Sequence, residues 1–473
     1  MRKVPGSTRG GVPRPSRVAT QQKIKAAVKV TGSTVGLMVL PLLFWLIFYQ
    51  NLPNNLDGMA SKGPIVLANT GDRIVKVVML AVSLYVILSR WAVSRAGFKE
   101  LNRGAVAFLL LAPLSAAWSI DSSATLLRCV SLTTIYLICF ALTVDGWQRT
   151  RFQRLALPPL LLILIGSLIV GIYAPDRIIE IGEDLSQKGA WHGITHSKNE
   201  FGMMAGSATI ICVNRVLSRE SGSLWAIIGA AISFTCLVLS RSHTSLFACL
   251  LGVLAMVMLM RVPIIRQRYS KVVVIGIAAT LLTYEMAVQN VVPGAHTLLS
   301  PITSLTGKDT TLSGRTIIWD IIKQHIAYAP YLGTGYGAYW TGPFPSSPSY
   351  VFVPVMYFYP TEAHNGYLDI VNDLGMVGLA CLLLYQFVYI RQALELMQTD
   401  RSQASLYLAI FFLQMVMNMS ESEWFARSST AAVLVLATCS LSRAVRETRL
   451  LATSAPQMAT RQPWLRKQSA SRS

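Results

Sequence analysis

The residues best suited to chemistry in this chain are few, and they fall where polar loops meet apolar stretches. His364 stands in Glu362-Ala363-His364-Asn365-Gly366-Tyr367, at the point where a long polar loop re-enters an apolar stretch. A titratable imidazole at such a boundary needs a partner or a task, because ionisable groups near hydrocarbon are costly to keep. Two arginines occupy similar boundaries: Arg241 in Leu239-Ser240-Arg241-Ser242-His243, and Arg315 in Leu312-Ser313-Gly314-Arg315-Thr316-Ile317-Ile318-Trp319. A guanidinium is a planar fork that matches two phosphate oxygens at once, so the pair suggests a phosphate-reading site on one membrane face. An imidazole with an ordinary pKa of roughly 6.5 can serve there as general base. Asp309 is placed to position Arg315, while Glu362 and Asn365 are placed to orient the imidazole or bind a hydroxyl. Each residue also has a plainer use. Interfacial arginines snorkel to headgroups, loop carboxylates are often merely solvated, and Asn365 suits the cap of a helix starting at Gly366.

The elements that position these residues are apolar. Hydrophobic residues make up 53% of the 473-residue chain and charged residues 14%, far below the ~25% charged of soluble domains, which marks an integral membrane protein. Apolar stretches at roughly 33–49, 74–89, 104–118, 125–144, 155–173, 199–217, 225–239, 243–260, 272–289, 366–390, 405–419 and 425–441 approach the ~20 residues a helix needs to cross hydrocarbon. The expectation is an all-α integral membrane fold of about twelve transmembrane helices. Lys and Arg set its orientation, since short basic loops stay cytoplasmic. Basic residues fill the N-terminal tail, then alternate connections holding Arg90 to Arg103, Arg149 to Arg154, Arg215 and Arg219, Arg261 to Lys271, and Arg391 and Arg401, and finally the tail from Arg443. Both termini are therefore expected in the cytoplasm.

The net charge of +20 follows from this bias rather than from one cationic surface, so no nucleic-acid partner is expected. The seven cysteines all fall in predicted helices, and neither CxxC nor HExxH occurs, so neither a disulfide framework nor a metal site nor a cofactor is expected. The organisation read from this is a basic disordered tail over 1–32, spans one to nine over 33–289, a large loop over 290–364, spans ten to twelve over 365–441, and a basic tail over 442–473.

The loop between spans nine and ten is far longer than a connection needs, and loops of this kind usually carry function. It contains an amphipathic stretch, Thr316 to Ala327, with Ile317, Ile318, Ile321 and Ile322 on one side. Gly333-Thr334-Gly335-Tyr336-Gly337 follows, then an aromatic and proline-rich run from Tyr339 to Pro360. Without GxGxxG or GxxxxGK[ST], the glycines read as a tight turn rather than a nucleotide cradle. The aromatics are suited either to anchoring at the membrane interface or to packing against sugar rings. Arg128 and Glu285, polar residues inside spans, have no assigned task.

Three features together carry a resemblance: the Ser240-Arg241-Ser242 turn between two spans, the Lys308-Asp309 to Trp319 segment followed by the glycine turn, and Glu362 to Leu379 entering the next helix. In this order the chain resembles the O-antigen ligase and Wzy polymerase superfamily, and within it the exopolysaccharide repeat-unit polymerases of rhizobial type. His196-Ser197-Lys198-Asn199-Glu200-Phe201-Gly202 is similar to the family's H-K-N-x-x-G segment with one residue inserted, which adds His196, Lys198 and Asn199 as second-rank candidates.

The resemblance implies a GT-C-type membrane glycosyltransferase, in the bacterial inner membrane and with the large loop periplasmic. Its donor would be an oligosaccharide on undecaprenyl pyrophosphate, and a flippase and a chain-length regulator would be its partners. Arg241 and Arg315 would then hold the pyrophosphate, an activated leaving group that needs cations and no metal, and His364 would take the acceptor proton. Two alternatives stand: a ligase that moves finished polysaccharide onto a lipid A core or a protein, and a secondary transporter or lipid-linked sugar flippase. The transporter reading calls for two related halves, and residues 33–217 and 225–441 show no convincing match.

Overall fold

The computed structural model describes residues 35–50, 70–180, 188–219, 223–289, 315–356 and 359–460. Asp309 and the rest of 290–314 lie outside the described residues. Among those residues the fold is all helical, with one isolated bridge, Ile179 to Trp191, in place of any sheet. The helices are α1 (Leu40–Gln50), α2 (Thr70–Ser89), α3 (Trp91–Phe98), α4 (Arg103–Leu114), α5 (Ser122–Val144), α6 (Arg151–Tyr173) and α7 (Lys198–Leu217). Then follow α8 (Ser223–Leu239), α9 (His243–Arg261), α10 (Ser270–Val288), α11 (Arg315–Ile326), α12 (Gly366–Leu396), α13 (Arg401–Met417) and α14 (Ser429–Thr460).

A helix stands at each of the twelve predicted apolar stretches. By length and composition five of them can cross a membrane, or six when the pair Ile74–Ser89 and Trp91–Phe98 is joined across its 99° bend. Polar side chains start many of these helices: Asn102, Asp121, Ser197, Ser242, Asn365 and Asp400 each accept a hydrogen bond from the first turn they cap. At the centre is α13, whose residues from Gln403 to Met417 are all buried against α7 and α9. Outer helices turn apolar side chains outward, with Ile172 75% and Trp225 76% exposed, which suits a lipid surround and not water.

Three expectations shift. On α11 the buried face is Ile318, Trp319 and Ile322, while Ile317 points outward, because this face packs beneath the loop on Tyr339, Trp340, Phe352 and Ala363. The last helix begins at Ser429 rather than 425, leaving a polar connection after α13, and it runs on to Thr460 through part of the region read as a tail. Helix α12 reaches Leu396 instead of 390, broken at Gly375, where φ of +60° brings its backbone against Tyr331.

Candidate functional site

The site forms where α11, the start of α12 and the α13–α14 connection meet. Asn365 caps α12 with its Oδ1, which accepts from the Tyr367 and Leu368 N–H groups at 3.0 Å each, and its Nδ2 donates to Glu285 Oε1 at 2.7 Å. Asn365 is thus a buried cap and does not touch the imidazole; Glu285, unexplained from sequence, is its partner. Just ahead of the cap, Trp319 Nε1 donates to the Ala363 carbonyl at 3.0 Å, and the Ala363 N–H donates to Asp369 Oδ2 at 2.9 Å. This double hold fixes His364 in the left-handed region with φ of +50°. A bulky residue held there is strained, and such strain concentrates at functional sites.

So held, His364 Nδ1 lies 3.3 Å from Glu362 Oε1 and 3.4 Å from Glu421 Oε2. Arg315, the first residue of α11, places Nη2 3.2 Å from Glu421 Oε1, and Asn199 Nδ2 donates to that same oxygen at 2.6 Å. Ser242, the residue after Arg241, donates to Asn199 Oδ1 at 2.8 Å. Three sequence candidates, Arg315, His364 and Asn199, therefore converge on the Glu421 carboxylate, which the sequence did not single out, and a fourth, Glu362, shares the imidazole. Glu421 sits in Ser420-Glu421-Ser422-Glu423, the short connection between the last two predicted spans. Its signal was available: two acids in a short connection on the side to which the basic-loop alternation assigns Arg241 and Arg315.

The other candidates lie apart. Arg241 is exposed, its Nη1 donating to the Lys188 carbonyl at 2.8 Å, and like His364 it has positive φ, +49°. His196 is exposed and its N–H donates to Glu200 Oε2 at 3.1 Å; Lys198 is the first residue of α7.

Burial opposes a charged imidazole, but the carboxylates of Glu421 and Glu362 outweigh it and raise the His364 pKa to about 10. Burial likewise opposes charge on Glu421, yet His364 and Arg315 hold its carboxyl below the ordinary value. Burial pushes Glu362 up despite its bond to His364, with Glu421 adding to the rise. The imidazole expected to be neutral and basic near pH 7 is instead an imidazolium shared between two carboxylates, and the three titrate as one unit. One atom from each of Glu362, His364 and Glu421 fits within 4.8 Å, a spacing able to hold a metal ion, although Arg315 already brings positive charge to the same carboxylate.

Glu362 is also part of the wall of a neighbouring cavity of about 540 Å³, with Lys76, Arg128, Trp340, Asp373 and Arg427 among its other lining residues. Arg128 Nη2 donates to the Trp340 carbonyl at 2.5 Å, and Asp373 Oδ2 accepts from the Gly337 N–H at 2.6 Å. The glycine turn is thus a packing device. Gly337 has φ of +68°, and a Cβ there would lie 2.6 Å from the Arg128 side chain. Of the aromatic run, Tyr339, Trp340 and Phe352 are core, Phe344 and Tyr350 are exposed, and Trp340 and the preceding Tyr336 reach the cavity wall.

A cation, an imidazole and two carboxylates gather just ahead of α12, a helix long and apolar enough to cross a membrane, and form a polar cluster in an otherwise apolar helical membrane protein. Residues 228–383 match the family model described as O-Antigen ligase, a span that holds Arg241, Arg315, Glu362 and His364 but not Asn199 or Glu421. The chain is also 25% identical over 313 residues to the exopolysaccharide production protein ExoQ of Rhizobium meliloti (strain 1021), covering 64% of this chain and 68% of that protein. Over these stretches the chain is similar to the O-antigen ligase family and to an exopolysaccharide production protein.

Proposed function

We propose that this chain joins oligosaccharide repeat units carried on undecaprenyl pyrophosphate into an exopolysaccharide, at the periplasmic face of the bacterial inner membrane. In this reading the twelve helices span the membrane with both termini in the cytoplasm, and a flippase and a chain-length regulator work beside it. The observation that carries the proposal is the convergence of Arg315 and His364 on Glu421, with Glu362 on the same imidazole, next to a cavity whose volume of about 540 Å³ lies within the usual range of ligand sites.

The acceptor hydroxyl oxygen forms a bond to the anomeric carbon of the donor while the bond from that carbon to the pyrophosphate oxygen breaks. Negative charge grows on the departing lipid pyrophosphate. Arg315 binds and offsets it through its fork, with Arg241 recruited at the outer side of the same anion. No metal is needed for this step. The hydroxyl proton passes to the unit formed by Glu362, His364 and Glu421. It enters at Glu362, the member that also lines the cavity, with the His364 imidazolium steadying both carboxylates. Asn199 and the cap of Asn365 hold this geometry, and Asp309 is assigned to position Arg315.

The test is His364→Ala in purified enzyme given lipid-linked repeat units. The variant should bind the donor and leave single units on the lipid, with transfer reduced about 10²–10³-fold by loss of the cation that steadies the accepting carboxylates. Retention of most of the transfer rate would make the imidazole structural. The family description also admits a ligase. Polysaccharide appearing on a lipid A core instead of on another lipid-linked unit would select it.

A further inference from the structure

We propose that the end of the bundle remote from His364 holds a site for the phosphate ester headgroup of an anionic phospholipid. The site does not depend on the reaction proposed above. Helix α12 leads from the His364 cluster to Leu396, and its segment beyond the break at Gly375 alone spans roughly 30 Å at ~1.5 Å per residue. There α3, bent 99° from the helix before it, lies across the bundle axis and is pinned by Phe98 stacking on Phe140 at 4.4 Å. Between α3 and α14 is a cavity of about 390 Å³ lined by Arg95, Lys99, Glu100, Arg446 and Arg449 among others.

The carboxylates there do not match the cations. Arg449 is taken by Glu395, through Nε at 2.5 Å and Nη2 at 2.7 Å, and by Glu100 through Nη1 at 2.5 Å. Arg443 pairs Nη2 with Glu447 at 2.8 Å, but its Nε and Nη1 have no hydrogen-bond partner although the residue is only 7% exposed. Arg446, which reaches both this cavity and the small one beside Arg443, leaves its buried Nη1 in the same condition. Arg95 and Lys99 are exposed at the rim, so Arg95, Lys99, Arg446 and Arg449 line the cavity against one lining carboxylate, Glu100, with Glu395 beside it on Arg449.

A buried N–H without an acceptor is costly, and a phosphate offers oxygens in the geometry a guanidinium fork fits. The rim identifies the source of that phosphate. Trp91 and Phe98 project from α3 with 53% and 40% exposure, giving acyl chains an apolar ledge beside the charges, which a free phosphate would not need.

The experiment uses full-length protein in non-ionic detergent, titrated with phosphatidylglycerol, with phosphatidylcholine of the same acyl chains, and with inorganic phosphate. Retained lipid is counted by native mass spectrometry, and the thermal transition is followed in parallel. Phosphatidylglycerol should be retained saturably and raise the transition, and the other two should not. The double variant Arg95→Gln/Lys99→Gln changes only exposed side chains and should fold normally, yet it should weaken that binding about 30-fold. Arg446→Gln, checked for folding by its transition in phosphatidylcholine, should remove it. Equal retention of both lipids, or unchanged phosphatidylglycerol binding in these variants, would overturn the site. An equal shift with inorganic phosphate would overturn its assignment to lipid.

Discussion

Arg315 and Arg241 look alike in the sequence, each a lone guanidinium in a polar turn beside an apolar run, yet the fold uses them differently. Arg315 opens α11, a helix clamped under the loop by Trp319 and Ile322, and this orientation delivers its guanidinium to Glu421. Arg241 occupies a left-handed turn between α8 and α9, where Ser240 and Ser242 are buried and the arginine faces outward to the Lys188 carbonyl. The Arg241 turn still reaches the site, through Ser242 and then Asn199. Sequence spacing identifies which connections gather at one place; side-chain direction is settled by the helix or turn that carries each residue.

The largest effect that tests this contrast falls on Arg315. Arg315→Lys keeps the charge but loses the fork, so transfer should drop nearly as far as in Arg315→Ala, on the order of 10²-fold or more. Arg241→Lys should retain most of the rate, and Arg241→Ala should lose about tenfold less than Arg315→Ala, measured as kcat/KM with lipid-linked donor. Equal losses at the two positions would break the contrast and mean that the donor draws Arg241 fully into the site.

A smaller but sharper effect comes from pH. With its pKa raised to about 10, His364 stays protonated through the neutral range and loses its proton only as pH rises through that value. A working imidazolium therefore predicts a rate that is flat between pH 7 and 9 and falls above 10. A neutral imidazole base predicts a rate that climbs about tenfold per pH unit toward the same point. Purified enzyme assayed across that interval separates the two.

Much of this was legible in the sequence, and the remainder was not for physical reasons. Composition and apolar run length are one-dimensional properties, so the helical membrane character and the approximate place of each apolar helix could be read directly, though not the bounds of α12 and α14. Arg315, Glu362 and His364 could be picked out as polar residues at apolar boundaries, and Asn199 through a family resemblance of its segment. Their meeting point could not, because Glu421 is 57 residues beyond His364 and reaches it only after α12 and α13 have folded back. The same holds for Arg128, whose partner, the Trp340 carbonyl, is 212 residues away. The ordinary pKa assumed for His364 failed for a related reason: a pKa depends on neighbours in space, and both of its carboxylates act only through the folded geometry.

The smallest expected effect concerns Glu423, two residues from Glu421 in the same connection. Asn418 holds this connection in place, its Oδ1 accepting from the N–H groups of Glu423 at 2.8 Å and Trp424 at 2.7 Å. While Glu421 faces a guanidinium and an imidazolium, Glu423 Oε2 accepts, among the described residues, from the hydroxyls of Ser428 at 2.5 Å and Thr430 at 2.8 Å. Hydroxyls cannot balance a buried charge as cations do. Burial therefore dominates and raises the Glu423 pKa to about 8, leaving it largely neutral at pH 7. Glu423→Gln replaces a neutral acid by a neutral amide that can still accept both hydroxyl bonds, so activity at pH 7 should stay within about twofold of wild type. Glu421→Gln removes a charge that two cations depend on and should be severely impaired. Because the folded pKa lies above the unfolded one, ionisation destabilises the fold. Wild type should lose stability as pH rises from about 4.5 to about 8, while Glu423→Gln should lack that contribution. Thermal transitions of both proteins at pH 5 and pH 9 measure the difference. A Glu423→Gln variant as inactive as Glu421→Gln, or one with the wild-type pH trend, would place both carboxylates in the same electrostatic unit.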